Sequence, residues 1–263
     1  SDLPVLASVT LDREGRCLTG ADLCVAVVTL QALGADAVGC NCSTGPADMI
    51  THIRNVKPFA RVPLLAKPNA GLPRDGQQSL EFDIGPEELS AYVPEFVRRG
   101  TNLLGGCCGT SPEYIRHIKA AAEGCTPVPP AADVPSAVSS SRTAVQIAKG
   151  RPLTIIGERI NPTGKKGLQA ELREGRMDLV RKFASEQVGH GAELLDVNVG
   201  APGVNQPEAK AEAVVTLSQL STVPLCMDTT NPEVLEAALQ LYPGRAMVNS
   251  ISAEGSRLEQ NLP

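Results

Sequence analysis

Short apolar runs alternate with amphipathic stretches along almost the whole chain, and most of the runs end in small or polar residues. Residues 4–10 read as a strand carried by Val5, Leu6 and Val9. Thr19-Gly20-Ala21-Asp22 opens a helix with Leu23, Val27 and Leu30 as apolar positions, and Gly34 ends it. The next strand covers 37–42, and a helix follows over 46–56. A third strand at 63–67 runs into Pro68-Asn69-Ala70-Gly71, and a charged loop rich in Gly and Pro spans 72–83. A helix is predicted over 86–99, a strand over 102–107, and a helix over 111–122 with Ile115, Ile118 and Ala122 on one face.

The pattern then breaks. Residues 125–150 hold Pro127, Pro129, Pro130, Pro135 and a Ser139-Ser140-Ser141 run, the composition of a semi-rigid linker. It restarts with a strand at 153–156 that leads into Gly157-Glu158-Arg159-Ile160-Asn161. Helices at 177–188 and 207–220 alternate with strands at 193–199 and 224–228. Asn231 caps a further helix with Pro232 at its first position, and the last strand covers 245–250. Strands that alternate with helices pair in parallel through right-handed crossovers. A β/α barrel closes with eight strands, so each run of about four units is expected to form half of a barrel. The fold class is α/β, with two TIM-type barrels in tandem, each about half present; two small open parallel sheets are the alternative. Polar residues at nearly every strand's C-terminal end favour barrels, which keep their sites there.

Composition narrows the function. A hydrophobic content of 42% and a charged content of 20% suit a globular protein. With a net charge of −5 and no basic run, nucleic acid and acidic membrane surfaces are poor partners. No apolar run approaches the roughly 20 residues of a membrane span, and no signal-like segment opens the chain. The eight cysteines are expected to be thiols of a cytoplasmic protein, some of them metal ligands, rather than a disulfide framework. Cys17, Cys24, Cys125 and Cys226 lack a ligand-like context, and His52, His117 and His190 fall on helices or helix ends as surface or satisfied residues. The chain starts at Ser1 in the middle of a pattern and is expected to be a fragment of a longer protein.

The candidate chemistry lies in two glycine-flanked strings, Gly105-Gly106-Cys107-Cys108-Gly109-Thr110 and Gly39-Cys40-Asn41-Cys42-Ser43. Glycines let the backbone turn sharply and bring sulfurs toward one point. Three thiolates at strand ends with a fourth position open follow the ligand logic of a catalytic zinc site. A structural zinc site would need a fourth protein ligand, for which Cys40 is the candidate.

These strings resemble the homocysteine S-methyltransferase family. Residues 1–124 are similar to the C-terminal half of that domain, and Pro68-Asn69-Ala70-Gly71 also matches its pattern. Residues 151–263, joined through the linker 125–150, resemble the first half of the pterin-binding domain that follows it in the cobalamin-dependent methionine synthase family. The resemblance implies that Cys42, Cys107 and Cys108 hold zinc and that homocysteine sulfur fills the open position. Three thiolates leave the metal-bound substrate electron-rich and nucleophilic. A family residue set for the amino-acid end of homocysteine lies outside this sequence.

In the second run, Gly157-Glu158-Arg159-Ile160-Asn161, Asp196-Val197-Asn198-Val199-Gly200 and Asp228-Thr229-Thr230 look like the strings of pterin-binding methyltransferases. By that resemblance Asp228 and Asn249 contact the guanidine-like edge of the pterin, while Asn161, Asp196 and Asn198 line the floor and the methyl-bearing side. The plainer reading is that Asp and Asn cap helices after strands. Lys165 and Lys166 read as solvated loop charges. The implied activity is methyl transfer from 5-methyltetrahydrofolate, by way of cobalamin carried on a separate cobalamin-binding domain, to homocysteine. A cobalamin-independent homocysteine methyltransferase using betaine or a sulfonium donor is the alternative, as is a non-catalytic zinc-binding remnant. A chain with four strands of each barrel is expected to bind zinc without making methionine.

Overall fold

Parallel strands dominate the computed structural model, which describes residues 3–42, 45–71, 73–75 and 80–251. The chain divides into two units, Ser1–Pro135 and Ser136–Pro263.

In the first unit the order is β1 (Leu6–Thr10), α1 (Leu23–Ala32), β2 (Ala37–Asn41), α2 (Pro46–Val56), a 3-10 turn (Lys57–Phe59), β3 (Leu64–Lys67), β4 (Pro73–Asp75), β5 (Leu80–Phe82), α3 (Pro86–Ala91), α4 (Val93–Arg98), β6 (Thr101–Leu104) and α5 (Pro112–Ala122). The sheet runs β1-β2-β3-β6, and every neighbouring pair is parallel. Asp22 caps α1 by accepting from the Val25 amide at 2.9 Å, as the sequence pattern predicts. Val38, Leu64 and Ala66 from the strands pack on Val27, Met49, Ile53, Val56 and Phe96 from the helices. Gly39 sits where β2 and β3 approach closely: a Cβ there would lie 1.7 Å from the Leu65 carbonyl oxygen, so no side chain fits.

Three expectations change in this unit. The helix over 86–99 is two short helices, because Pro94 has no N–H to continue the first ladder into the second. The strand over 102–107 is Thr101–Leu104, and the glycines that follow turn the chain out of the sheet. The loop over 72–83 contains the antiparallel pair β4–β5.

The second unit holds β7 (Ser136–Ser139), β8 (Ala144–Ile147), β9 (Ile156–Ile160), α6 (Lys166–Arg173), α7 (Asp178–Gly189), β10 (Leu194–Val197), α8 (Gln206–Leu220), β11 (Leu225–Asp228), α9 (Pro232–Leu241) and β12 (Met247–Asn249). Its parallel sheet has the order β12-β11-β10-β9. Leu195, Val197, Leu225 and Met227 form the strand side of the core against Val180, Ala184, Val214 and Leu217. Asn231 caps α9 by accepting from the Glu233 amide at 2.9 Å. The strand predicted at 153–156 begins at Ile156 instead, so Gly157 to Ile160 is strand rather than loop. Gln187 of α7 stabilises it by accepting from the Arg159 amide at 2.7 Å. Helix α6 has no counterpart in the sequence reading and starts at Lys166.

Within the stretch read as a linker, the backbone has partners in both units. Asn102 donates to the Val128 carbonyl at 2.9 Å, Lys57 to Pro129 at 2.7 Å and Arg61 to Val134 at 3.1 Å. Strands β7 and β8 form an antiparallel hairpin. Tyr242 pins it: its hydroxyl donates to the Ser139 carbonyl at 2.8 Å and accepts from the Leu225 amide at 3.0 Å. Tyr242→Phe removes the acceptor of the buried Leu225 amide and one donor to Ser139, and is expected to destabilise the second unit by about 1–3 kcal/mol. A thermal unfolding scan checks this, and an unchanged midpoint contradicts it. Among the described residues, no helix is long and apolar enough to cross a membrane.

Candidate functional site

At the C-terminal ends of β2 and β6 the two cysteine strings meet. Strand β2 stops at Asn41, and Cys42 takes a left-handed conformation, φ +60°. A residue other than glycine rarely adopts that conformation, and surrounding structure has to hold it there. The Cys42 amide donates to the Lys67 carbonyl at 3.1 Å. On the other side, the Cys107 amide donates to the Pro68 carbonyl at 3.0 Å, and the Cys108 amide to the Asn69 side-chain oxygen at 3.2 Å. The Cys108 carbonyl in turn accepts from the Ala70 amide at 3.0 Å, and Thr110 donates its hydroxyl to the Cys107 carbonyl at 2.6 Å. Pro68-Asn69-Ala70 is thus the frame for the cysteine turn, not a plain turn of its own. Gly109 has φ +78°, and a Cβ there would strike the Phe82 ring at 2.3 Å.

The sulfurs of Cys42, Cys107 and Cys108 all lie within 4.8 Å of one another, and those of Cys42 and Cys108 are 3.5 Å apart. Tetrahedral bonds of about 2.3 Å place sulfurs about 3.8 Å apart, so this spacing fits one soft metal ion. Burial acts to raise the Cys42 thiol, but hydrogen bonds from Cys107, Cys108 and Asn41 outweigh it and hold Cys42 below its ordinary value. Hydrogen bonding to Cys42 and Cys107, reinforced by their charge, pushes Cys108 up to about 11. Were all three ionised, thiolates this close would need a cation among them. Cys40 is not a fourth donor. It is 1% exposed in the core of the first unit, and burial pushes its thiol up to about 12. The left-handed turn at Cys42 breaks the alternation that would have set both sulfurs on one side.

In the second unit, polar groups gather at the ends of β10, β11 and β12. Asn198 donates to the Asp228 carboxylate at 2.8 Å, and Asn249 donates to Asp196 at 3.2 Å. Asp196 is 4% exposed. Its second carboxylate oxygen meets no nitrogen or hydroxyl donor among the described residues, and burial holds its pKa above the usual carboxylate value. Asn161, just beyond β9, is held locally: its amide donates to Glu158 at 2.7 Å and its side-chain oxygen accepts from the Thr163 amide at 3.0 Å. A cavity of about 200 Å³ opens beside these groups, lined by Asn198, Gly200, Gln206, Asp228, Thr229 and Thr230. A larger one of about 530 Å³ lies among helix residues such as Leu172, Met177 and Val215, and none of the strand-end polar groups lines it.

Residues 1–122 match the family model described as homocysteine S-methyltransferase, and residues 157–261 match the one described as pterin binding enzyme. Each of these matches covers less than half of the chain. The first matched stretch contains the three gathered cysteines, and the second contains the five strand-end residues. Over 96% of its length the chain is 36% identical to methionine synthase of Mycobacterium tuberculosis and 35% identical to that of Mycobacterium leprae. It spans about a fifth of the length of these relatives, 21% in each case. Among solved structures, the oxidized form of a homocysteine methyltransferase from Escherichia coli shares 26% identity at a TM-score of 0.33, covering 43% of this chain and 34% of that one.

Within residues 1–122 the structure brings Cys42, Cys107 and Cys108 together. In the second matched stretch it joins four of the five named residues as two hydrogen-bonded pairs and leaves Asn161 with Glu158. One group escaped the sequence reading: Lys210 on α8, wholly buried, whose ammonium reaches the Val197 and Asp228 carbonyls. A signal for it existed, because Ala213, Val214 and Leu217 follow at the spacings that place Lys210 on the apolar face of the helix.

Proposed function

We propose that the chain takes part in making methionine, with 5-methyltetrahydrofolate as the methyl donor and homocysteine as the acceptor. The observation that carries this reading is the convergence of three sulfurs from two strand ends. Cys42, Cys107 and Cys108 would hold zinc, leaving a position for the homocysteine sulfur. A free thiol ionises near pH 8.5, and zinc when bound supplies the positive charge that makes a thiolate available at neutral pH. The protein's part is to fix that geometry. Asn69, 6% exposed, holds the Cys108 amide, and the Lys67 carbonyl holds Cys42 in its left-handed turn.

In the same reading the folate sits against the strand ends of the second unit. A pterin presents N–H donors along one edge, and carboxylates within a concave site pair with such an edge. Asp228 and Asn249 would meet that edge, with Asn161, Asp196 and Asn198 on the floor and the methyl-bearing side. The two four-stranded parallel sheets are read as parts of tandem β/α barrels, 1–124 for homocysteine and 151–263 for folate, joined through 125–150, in a cytoplasmic enzyme. Cobalamin is implied as the carrier between them and would be held by a separate domain.

Elemental analysis and methylfolate titration on one preparation test the proposal. About one zinc per chain together with folate binding is the expected result. Zinc without folate binding favours a betaine or sulfonium donor and overturns the folate reading; neither zinc nor binding of either substrate overturns the whole.

A further inference from the structure

Lys210 is the one lysine among the largest fully buried side chains of the described residues, at 0% exposure. Its ammonium donates to two carbonyls, that of Val197 in a short contact and that of Asp228 at 2.9 Å. These are the last residues of β10 and β11. One side chain from α8 therefore ties together the two strand ends from which Asn198 and Asp228 extend, and that pair is itself bonded at 2.8 Å. The titratable groups facing the ammonium are Asp228 and Cys226 of β11 and Asp196 of β10. Cys226 is held up by burial, chiefly, and by the Asp196 carboxylate beside it. A buried charge is costly unless something compensates it, and an apolar side chain would satisfy the helix packing here without that cost.

We propose that Lys210 is a positioning residue of the pterin-binding face: it fixes the spacing of the β10 and β11 ends and supplies the positive charge that balances Asp196 and Asp228. The inference rests on the folate reading above. Its consequence is that a ligand whose N–H edge pairs with Asp228 meets a preset carboxylate instead of having to order one. Burial lowers the ammonium to about 8, opposed by Asp228 and Asp196. The charge is present below that pH and is lost above it, so ligand affinity should fall as pH rises through this range.

The test is calorimetric titration of 5-methyltetrahydrofolate into the protein encoded by the full reading frame, as wild type and as Lys210→Met, from about pH 6.5 to about 9.5. The wild type is expected to hold its affinity up to about pH 8 and lose it above. Lys210→Met removes the charge at similar volume and should bind about tenfold more weakly at pH 7, with no inflection near 8. A flat wild-type profile overturns the proposal even where the variant is weak, since damage to the fold lowers affinity without creating or removing a wild-type titration. An inflection that persists in Lys210→Met also overturns it. If that variant does not fold, Lys210→Gln takes its place, and an inflection that persists in it overturns the proposal. No binding by the wild type at any pH removes the folate reading itself, and this inference with it.

Discussion

Alanine at Cys107 or Cys108 is expected to weaken zinc binding by on the order of 100-fold, because structural zinc affinity of roughly 10–16 kcal/mol spread over four ligands is about 3 kcal/mol each. The effect follows from the site's form. The three sulfurs lie within 4.8 Å of one another, and each cysteine is held by its own backbone hydrogen bond. Removing one leaves two thiolates, with no fourth cysteine to replace it, since Cys40 is turned into the core. Cys40→Ala is the matched control, and it should cost packing but leave the metal in place. Elemental analysis after dialysis against a weak chelator reads both. Undiminished zinc in the Cys107 and Cys108 variants would sink the assignment, and so would equal loss in the Cys40 variant with an intact fold.

Asp228→Ala should weaken 5-methyltetrahydrofolate binding by about 10- to 150-fold, the range given by losing one charge-assisted hydrogen bond of roughly 1.5–3 kcal/mol. The same change strips Asn198 of its partner, so the loss belongs in the upper part of that range. Lys210 keeps its contact, because it bonds to the Asp228 backbone carbonyl and not to the carboxylate. Zinc content should not move. Asp228 and the cysteines lie in separate units, and distant substitutions with no shared partners act nearly additively. Titration calorimetry and metal analysis on the same sample provide the check. Lost zinc with unchanged folate affinity would mean that the two sites are not divided as proposed.

Much of the fold was legible in the chain because period and punctuation agree locally. Asp22 and Asn231 both cap helices as their positions predict, and the strands of both sheets fall within a few residues of the apolar runs. The misses have other causes, one local and two from residues far along the chain. Pro94 divides a helix that its apolar spacing would continue. Gly157 to Ile160 looks like a polar loop, yet it is strand, because it pairs with β10, and Gln187 from a distant helix accepts from its Arg159 amide. The hairpin β7–β8 has the Pro and Ser content of a linker, and its order comes from Tyr242, about a hundred residues on.

By itself, the sequence determined the α/β alternation, the two-part organisation and the residue types of both candidate sites. Those features depend on neighbours along the chain: apolar period, glycine punctuation and cap residues. The resemblance already named Cys42 beside Cys107 and Cys108, but only the tertiary structure shows how the three sulfurs meet. A left-handed turn at Cys42 and the burial of Cys40 are set by contacts with β3 and the helix layer, which no local spacing encodes. Lys210 is the sharper case. Its helical spacing places it on the apolar face, but gives no partner for its charge. Its burial beneath Asp196 and Asp228 exists only once α8 has packed across the ends of β10 and β11, because the carbonyls that accept from it come from strands on either side of that helix in the chain.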